Sequence, residues 1–293
     1  MRIGLQKWRL AIKKQLSIAI PGWLEEKEKA LLAMLSGLGS AAIAFSGGAD
    51  SSYLASAAFT ALGTKAMAFI SNSALLPERE LLEAITMAKA IGIQLVVLED
   101  GIPEAALANK PDRCYHCKKA KLESIIAKAA EAGIGRILEG SNLDDDKEYR
   151  PGSRAVMELG VLSPLKEAGM TKNDIRLLSK RRGLKSWDKP SMACLASRLP
   201  YGIALKESLL LKIEKAEDEL LRLGFRQVRV RLLETAARIE VAREERSRFF
   251  CDAMLDKVSK RFKDLGFSHV CLELEGYSTG SFDKNLAIKE EEK

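Results

Sequence analysis

The chain has 293 residues, 47% of them hydrophobic, and a formal net charge of +7, enough for a large core and for two domains. No run of eighteen apolar residues exists to cross a membrane, and Lys13 and Lys14 interrupt the apolar N-terminal stretch, so it lacks the h-region of a signal peptide and the expected location is cytoplasmic. Five cysteines are too few, and odd in number, for a disulfide scaffold, while the basic balance suits anionic small molecules and RNA alike.

Residues 1–39 read as a helical, basic N-terminal extension, broken at Pro21. Its Trp8, Leu10, Ile12, Leu16, Ile18, Ile20 and Trp23 are expected to pack on the chain's own domain. From Ala41 strands and helices alternate. Strands are expected at 41–45, 65–70, 93–98 and 136–139, with helices at 51–62, 77–91 and 117–132 between them. This is the pattern of βαβ units and a parallel sheet. Between the first strand and first helix stands Ser46-Gly47-Gly48-Ala49-Asp50-Ser51-Ser52. Two glycines allow a tight turn and a close approach to an anion. Asp50, Ser51 and Ser52 open a helix whose free N–H groups favour phosphate. No lysine follows the glycines, so the loop is not the Walker type that cradles a transferable γ-phosphate.

After the fourth strand, Asp144, Asp145 and Asp146 form an acidic run. It reads either as a plain surface loop or as a Mg²⁺ site shared with phosphate. Arg150-Pro151-Gly152 is expected to turn beside the same cleft, and 171–182 to be a helix capped by Thr171. The pattern changes after Pro200-Tyr201-Gly202: helix 206–223, strands 225–233 and 237–242, helix 246–265 and strand 268–274 predict a smaller α+β domain. On the first of these strands Val228, Val230 and Leu232 face one way, and Arg229 and Arg231 the other. The expected organisation is therefore an extension (1–39), a nucleotide-binding α/β domain (40–200), an α+β domain (201–284) and a frayed charged tail (285–293).

Cys114 and Cys117 form a C-x-x-C at a helix start beside Arg113, Lys118 and Lys119, which should lower the thiol pKa values; a third cysteine, Cys194, follows in Lys189-Pro190-Ser191-Met192-Ala193-Cys194-Leu195-Ala196-Ser197-Arg198-Leu199-Pro200-Tyr201-Gly202. Three readings stay open for this set: a [4Fe–4S] cluster with one free iron, a zinc site with His116, or a redox dithiol. Cys251 and Cys271 are expected to be ordinary buried cysteines.

Ser46–Ser52 resembles the PP-loop of enzymes that split ATP between the α and β phosphates. Together with 190–202 it is similar to the LarE-type ATP-dependent sulfur transferases, which make the nickel-pincer nucleotide cofactor. The resemblance runs from about residue 41 to 285 and includes 171–187, 227–231 and 275–281. It implies a PP-loop α/β fold with a smaller α+β domain. In such enzymes ATP and Mg²⁺ adenylate a pyridinium dicarboxylate mononucleotide, pyrophosphate leaves, and a cysteine at the position of Cys194 attacks. One branch sacrifices that cysteine's sulfur. The other holds a [4Fe–4S] cluster on three cysteines, and Cys114, Cys117 and Cys194 place this chain there.

The resemblance further implies a sulfur donor, a homo-oligomer, and a substrate site lined by Ser197, Arg198, Glu217, Arg229 and Arg231. Ser278 stands where the family pattern has Arg. Two rival readings share the loop: a tRNA thiolase, disfavoured because no RNA-binding module precedes it, and an ammonia-using amide synthetase, which needs no Cys194. Nucleic acid and membrane are not expected partners.

Overall fold

The computed structural model describes residues 19–147, 151–190 and 193–278. The basic stretch up to Ile18, Arg150, Ser191, Met192 and the tail from Thr279 lie outside the described residues, as does the side chain of Asp146. The chain divides into two compact units. One is built on the residues up to Pro103 and on Cys114–Met192; the other on Glu104–Arg113 and the residues from Ala193 onward. Among the described residues no helix is long and apolar enough to cross a membrane.

The first unit is an α/β sandwich. After helix α1 (Gly22–Ser36), strands β1 (Ala41–Ala44), β2 (Ala66–Asn72), β3 (Gln94–Glu99) and β4 (Ile137–Leu138) form a sheet in the order β3-β2-β1-β4. Every pairing in it is parallel. The connecting helices are α2 (Ala49–Leu62), α3 (Glu78–Ile91) and α5 (Arg113–Glu131); the short helical turn α4 (Glu104–Leu107), which precedes the last in the chain, belongs to the second unit. Small residues let β1 sit at the centre. Ala41 and Ile43 belong to the core that includes α1 and α2, whereas Ala42 belongs to the core under α5. A strand covered on both faces reads as a continuous apolar run rather than an alternation.

The remaining helices of this unit are α6 (Gly152–Glu158), α7 (Pro164–Glu167) and α8 (Lys172–Arg181). Helix α8 begins with a complete capping box between Thr171 and Asp174. Arg182, just past its end, donates to Glu28 of α1 from Nε (3.0 Å) and Nη2 (2.8 Å), and the Tyr53 hydroxyl of α2 donates to the same carboxylate at 3.2 Å. Burial pushes the Tyr53 pKa up, so this hydroxyl stays a donor.

In the second unit, α9 (Glu207–Arg222) packs on a mixed sheet of β5 (Val228–Leu233), β6 (Ala236–Val241) and β7 (His269–Leu272), in the order β5-β6-β7, with α10 (Asp252–Asp264) before the last strand. Strand β5 starts at Val228 rather than at 225. The Phe225 amide still closes the preceding helix on Leu220 O, and the Arg226 and Gln227 amides donate to the Glu245 carboxylate. The helix expected over 246–265 is interrupted: Arg243–Phe249 is a 3-10 turn and α10 begins at Asp252. The bend buries Phe249 against Phe225, ring centroids 4.8 Å apart. It also leaves Cys251 exposed, and Cys271 on β7 is exposed too, so neither is the buried cysteine that the sequence suggests.

Candidate active site

With β2 and β3 on one side of β1 and β4 on the other, the topological switch lies between β1 and β4, where open α/β sheets bind ligands beyond the strands' carboxyl ends. The loop after β1 is drawn together by its own serines. Ser51 Oγ accepts from Ser46 N at 3.2 Å and lies 3.0 Å from Ser46 Oγ, which in turn accepts from Gly48 N at 3.4 Å. Gly47 has φ +71°, and a Cβ there would lie 2.9 Å from the Cα of Ala84 on α3, a backbone atom that cannot swing aside. Gly48 caps α2 without a side-chain hydrogen bond to its N–H groups, which leaves that end suited to an anion.

The loop after β4 closes on the first. A Cβ on Gly140 would lie 3.1 Å from Ser51 N. Beside it, buried Glu139 accepts from Ser163 Oγ (2.6 Å), Ser141 N (3.0 Å) and Lys118 Nζ (3.2 Å). Burial alone would raise the Glu139 pKa, but the Lys118 charge and the serine donors outweigh it and hold the carboxyl below its usual value. Between the loops lies a cavity of about 610 Å³, lined by Ser46, Gly48 and Ser51, by the lysines Lys118, Lys121 and Lys166, and by the carboxylates Asp50, Glu139 and Asp145. Its size suits a nucleotide, and its mixed charge suits phosphates that bring a cation. The sequence reading missed the Lys118–Glu139–Ser163 set; a carboxylate closing a strand at a switch point was the available signal.

Asp50 is the carboxylate presented here. Lys172 Nζ of α8 pairs with its Oδ2, and Oδ1 is buried without a hydrogen-bond partner. An orphaned carboxylate oxygen beside a phosphate-sized space fits Mg²⁺, which commonly takes one or two carboxylates and completes its shell with phosphate and water. In the acidic run, Asp144 Oδ2 accepts from Lys172 N at 2.9 Å, which ties the loop to the start of α8, and Asp145 Oδ2 accepts from Asn142 N at 3.0 Å, which closes a turn.

In the second unit Cys194 is the N-cap of a 3-10 turn, Leu195–Arg198, and its backbone is held from several sides. Arg198, fully buried, donates from Nη1 to Ala193 O (2.7 Å), Cys194 O (3.1 Å) and Ser197 Oγ (2.9 Å). Its Nε and Nη2 go to Glu217 at 2.8 and 3.2 Å. Arg231 donates to Ser197 O at 2.8 Å and to buried Glu240 at 2.6 Å. Arg198, Glu217 and Arg231 are thus committed to the protein itself. Arg229 alone of these is half-buried with its guanidinium over the Tyr277 ring, 5.2 Å from its centre. Burial and the neighbouring Arg198 depress the Arg229 pKa, so its charge would gain from an incoming anion.

The two arginines of β5 therefore differ, although alternation places both opposite the apolar face. Arg231→Ala is expected to destabilise by about 3–5 kcal/mol, because it strands the buried Glu240 charge. Arg229→Ala is expected to cost about 0.5–1 kcal/mol, the worth of a partly exposed cation–π contact. Urea unfolding of both variants checks this; equal losses would contradict the burial contrast.

Cys114 and Cys117 stand in the first turn of α5, exposed and half-buried respectively. Among the described residues no group of three or more His, Cys, Asp or Glu side chains comes together that could hold a metal.

A Ser-Gly-Gly-x-Asp-Ser loop at the end of β1 in a 3-2-1-4 parallel sheet, with a smaller mixed sheet beyond, defines an α/β protein of the PP-loop class. No family model matches the chain. It is 39% identical over 266 residues to an uncharacterized protein of Synechocystis, covering 90% of this chain and 99% of that one. It is 34% identical over 266 residues to the pyridinium-3,5-bisthiocarboxylic acid mononucleotide synthase of Lactiplantibacillus plantarum, covering 90% and 96%. An uncharacterized protein of Methanocaldococcus jannaschii is 31% identical over 235 residues, covering 80% and 89%. The chain belongs to the LarE family, that of the L. plantarum synthase.

Proposed function

We propose that this chain is an ATP-dependent sulfur transferase acting on a pyridinium dicarboxylate mononucleotide in the biosynthesis of the nickel-pincer nucleotide cofactor. The observation that carries the reading is the lysine- and carboxylate-lined cavity between the loops after β1 and β4, where Asp50 presents an unpartnered buried oxygen. The substrate carboxylate attacks the α-phosphorus of ATP, the α–β bridge breaks, and pyrophosphate leaves. Mg²⁺, when bound, neutralises the phosphate charge that this requires. Ser46, Gly47, Gly48, Ser51 and Ser52 supply the loop, Asp50 the metal contact, and Lys118 a cation fixed by Glu139.

The Cys194 thiolate then attacks the acyl carbon and AMP leaves, giving a thioester. Ser197, Arg198, Glu217 and Arg231 act by holding the Cys194 turn, and Arg229 meets the substrate's anionic group. The finer proposal, in place of that thioester, is that Cys114 and Cys117 join Cys194 as ligands of a [4Fe–4S] cluster, which would supply the sulfur and be replenished by an external sulfur donor. Their C-x-x-C spacing on one helical turn supports it, and a homo-oligomer belongs to the same family expectation.

The test is incubation of anaerobically purified protein with ATP, Mg²⁺, sulfide and the dicarboxylate mononucleotide, and in parallel with ammonium or tRNA added, with AMP, pyrophosphate and thiocarboxylate quantified. One AMP and one pyrophosphate per thiocarboxylate is expected. An amide formed from ammonia, or thiolated tRNA instead, would replace this reading with one of its rivals.

A further inference from the structure

Asp50 and Lys172 form an ion pair whose side chains keep 24% and 29% of their exposure. A pair this open is cheap to part. The backbone of Lys172 is nonetheless fixed. Its N–H donates to Asp144 Oδ2 at 2.9 Å, and it follows Thr171 in a helix start whose Asp174 also accepts from Lys27 Nζ at 2.9 Å. Only the four-carbon stem and its ammonium can move. Asp50 has one oxygen under that ammonium and the other buried with no partner. Both Glu139 oxygens already accept from donors, and Asp144 and Asp145 each have an oxygen on a backbone N–H. The orphaned oxygen is thus on the same carboxylate that Lys172 holds.

We infer that Lys172 is an exchangeable counter-ion. Its ammonium occupies Asp50 until a divalent cation takes that carboxylate, and the released Nζ then turns to the phosphates of the accompanying nucleoside triphosphate. The exchange conserves charge: the carboxylate trades one cation for another, and the freed ammonium gains an anion. The inference rests on reading Ser46–Ser52 as a nucleotide loop. It adds that metal and lysine exclude each other at Asp50 and that lysine and phosphate then pair.

The experiment is competitive acetylation of the full chain with acetic anhydride, read at Lys172 by peptide mass spectrometry. It is run without additions, with Mn²⁺ alone, and with Mn²⁺ plus a non-hydrolysable ATP analogue, and Mn²⁺ binding is followed by electron paramagnetic resonance. If the pair is nine-tenths formed, Mn²⁺ should raise Lys172 labelling about tenfold, and the analogue should lower it again. Lys180, stacked over Trp187, serves as the internal control. Asp50→Asn should label fast without Mn²⁺ and ignore its addition, and Lys172→Met should bind Mn²⁺ more tightly. Labelling of Lys172 that is indifferent to bound Mn²⁺, equally slow in Asp50→Asn, or found with no Mn²⁺ binding at all overturns the inference. Neither a carboxylate substrate nor a sulfur source is present. A protein that shows the exchange but makes no thiocarboxylate therefore keeps this inference and loses the transferase reading.

Discussion

Cys194→Ser is expected to abolish thiocarboxylate formation while pyrophosphate release from ATP continues. The loop after β1, which would carry adenylation, contains no cysteine, whereas transfer needs a thiolate that an alcohol cannot replace at neutral pH. Serine fits the turn because the contacts that hold it run to the Cys194 carbonyl. Loss of both activities together would assign Cys194 to folding or nucleotide binding instead. The companion variants Cys114→Ala and Cys117→Ala divide the two sulfur mechanisms. With a cluster, each should lose bound iron after anaerobic reconstitution, and the intact protein should turn over repeatedly with added sulfide. With sacrifice, both are dispensable: loss of a proton from Cα and cleavage of the Cβ–S bond send the sulfur off with the product. The protein is then left as dehydroalanine, lighter by the mass of H₂S after one turnover.

Asp50→Ala is expected to lower pyrophosphate release at least about a hundredfold, the scale on which even outer-sphere changes at metal sites act. It removes the only carboxylate in the loop after β1 and leaves the Lys172 ammonium without its partner. The fold should survive, since the open pair contributes little and Gly47, Ser46 and Ser51 define the turn. A coupled phosphate assay measures the rate, and circular dichroism confirms the fold. Normal turnover would reduce Ser46–Ser52 to a structural turn.

Much of the sheet could be read from the chain because β1, β2 and β3 are short apolar runs separated by amphipathic helices, and the loop could be placed because only glycine suits φ +71° against the Ala84 backbone. What pattern alone could not give is the partner of a charge. Arg229 and Arg231 have the same period, yet one stacks on Tyr277 and the other is buried on Glu240, which the β5–β6 ladder pairs with Arg229 and so sets diagonally to Arg231. Lys118 and Glu139 meet across 21 positions, and Lys172 reaches Asp50 across 122. Asp144 and Asp145 read equally as a plain loop or as metal ligands, and the bonds that one oxygen of each accepts, from Lys172 N and from Asn142 N, depend on where those N–H groups fall. Cys251 is exposed because Phe249, not the cysteine, turns inward at the bend before α10.

The Cys194 turn has a consequence for folding cooperativity. Two of its local hydrogen bonds are backbone pairs, Ser197 N to Cys194 O at 3.0 Å and Leu199 N to Ala196 O at 3.1 Å, and three others come from the Arg198 Nη1 group, whose orientation is set elsewhere. The rest of its support comes from Glu217 through Arg198, and from Arg231 on a strand 34 residues further on. A turn whose central guanidinium is oriented by distant partners cannot take its full shape before the sheet and helix that carry them. The turn should therefore open only with its whole unit, and the Ser197 and Leu199 amides should exchange hydrogen at the slow rate of the β5–β6 ladder rather than at that of a loop. Fast exchange there would mean that the turn unravels by itself. If the rates match, a nascent or misfolded chain carries Cys194 as an ordinary thiol, and the shaped nucleophile exists only once folding is complete.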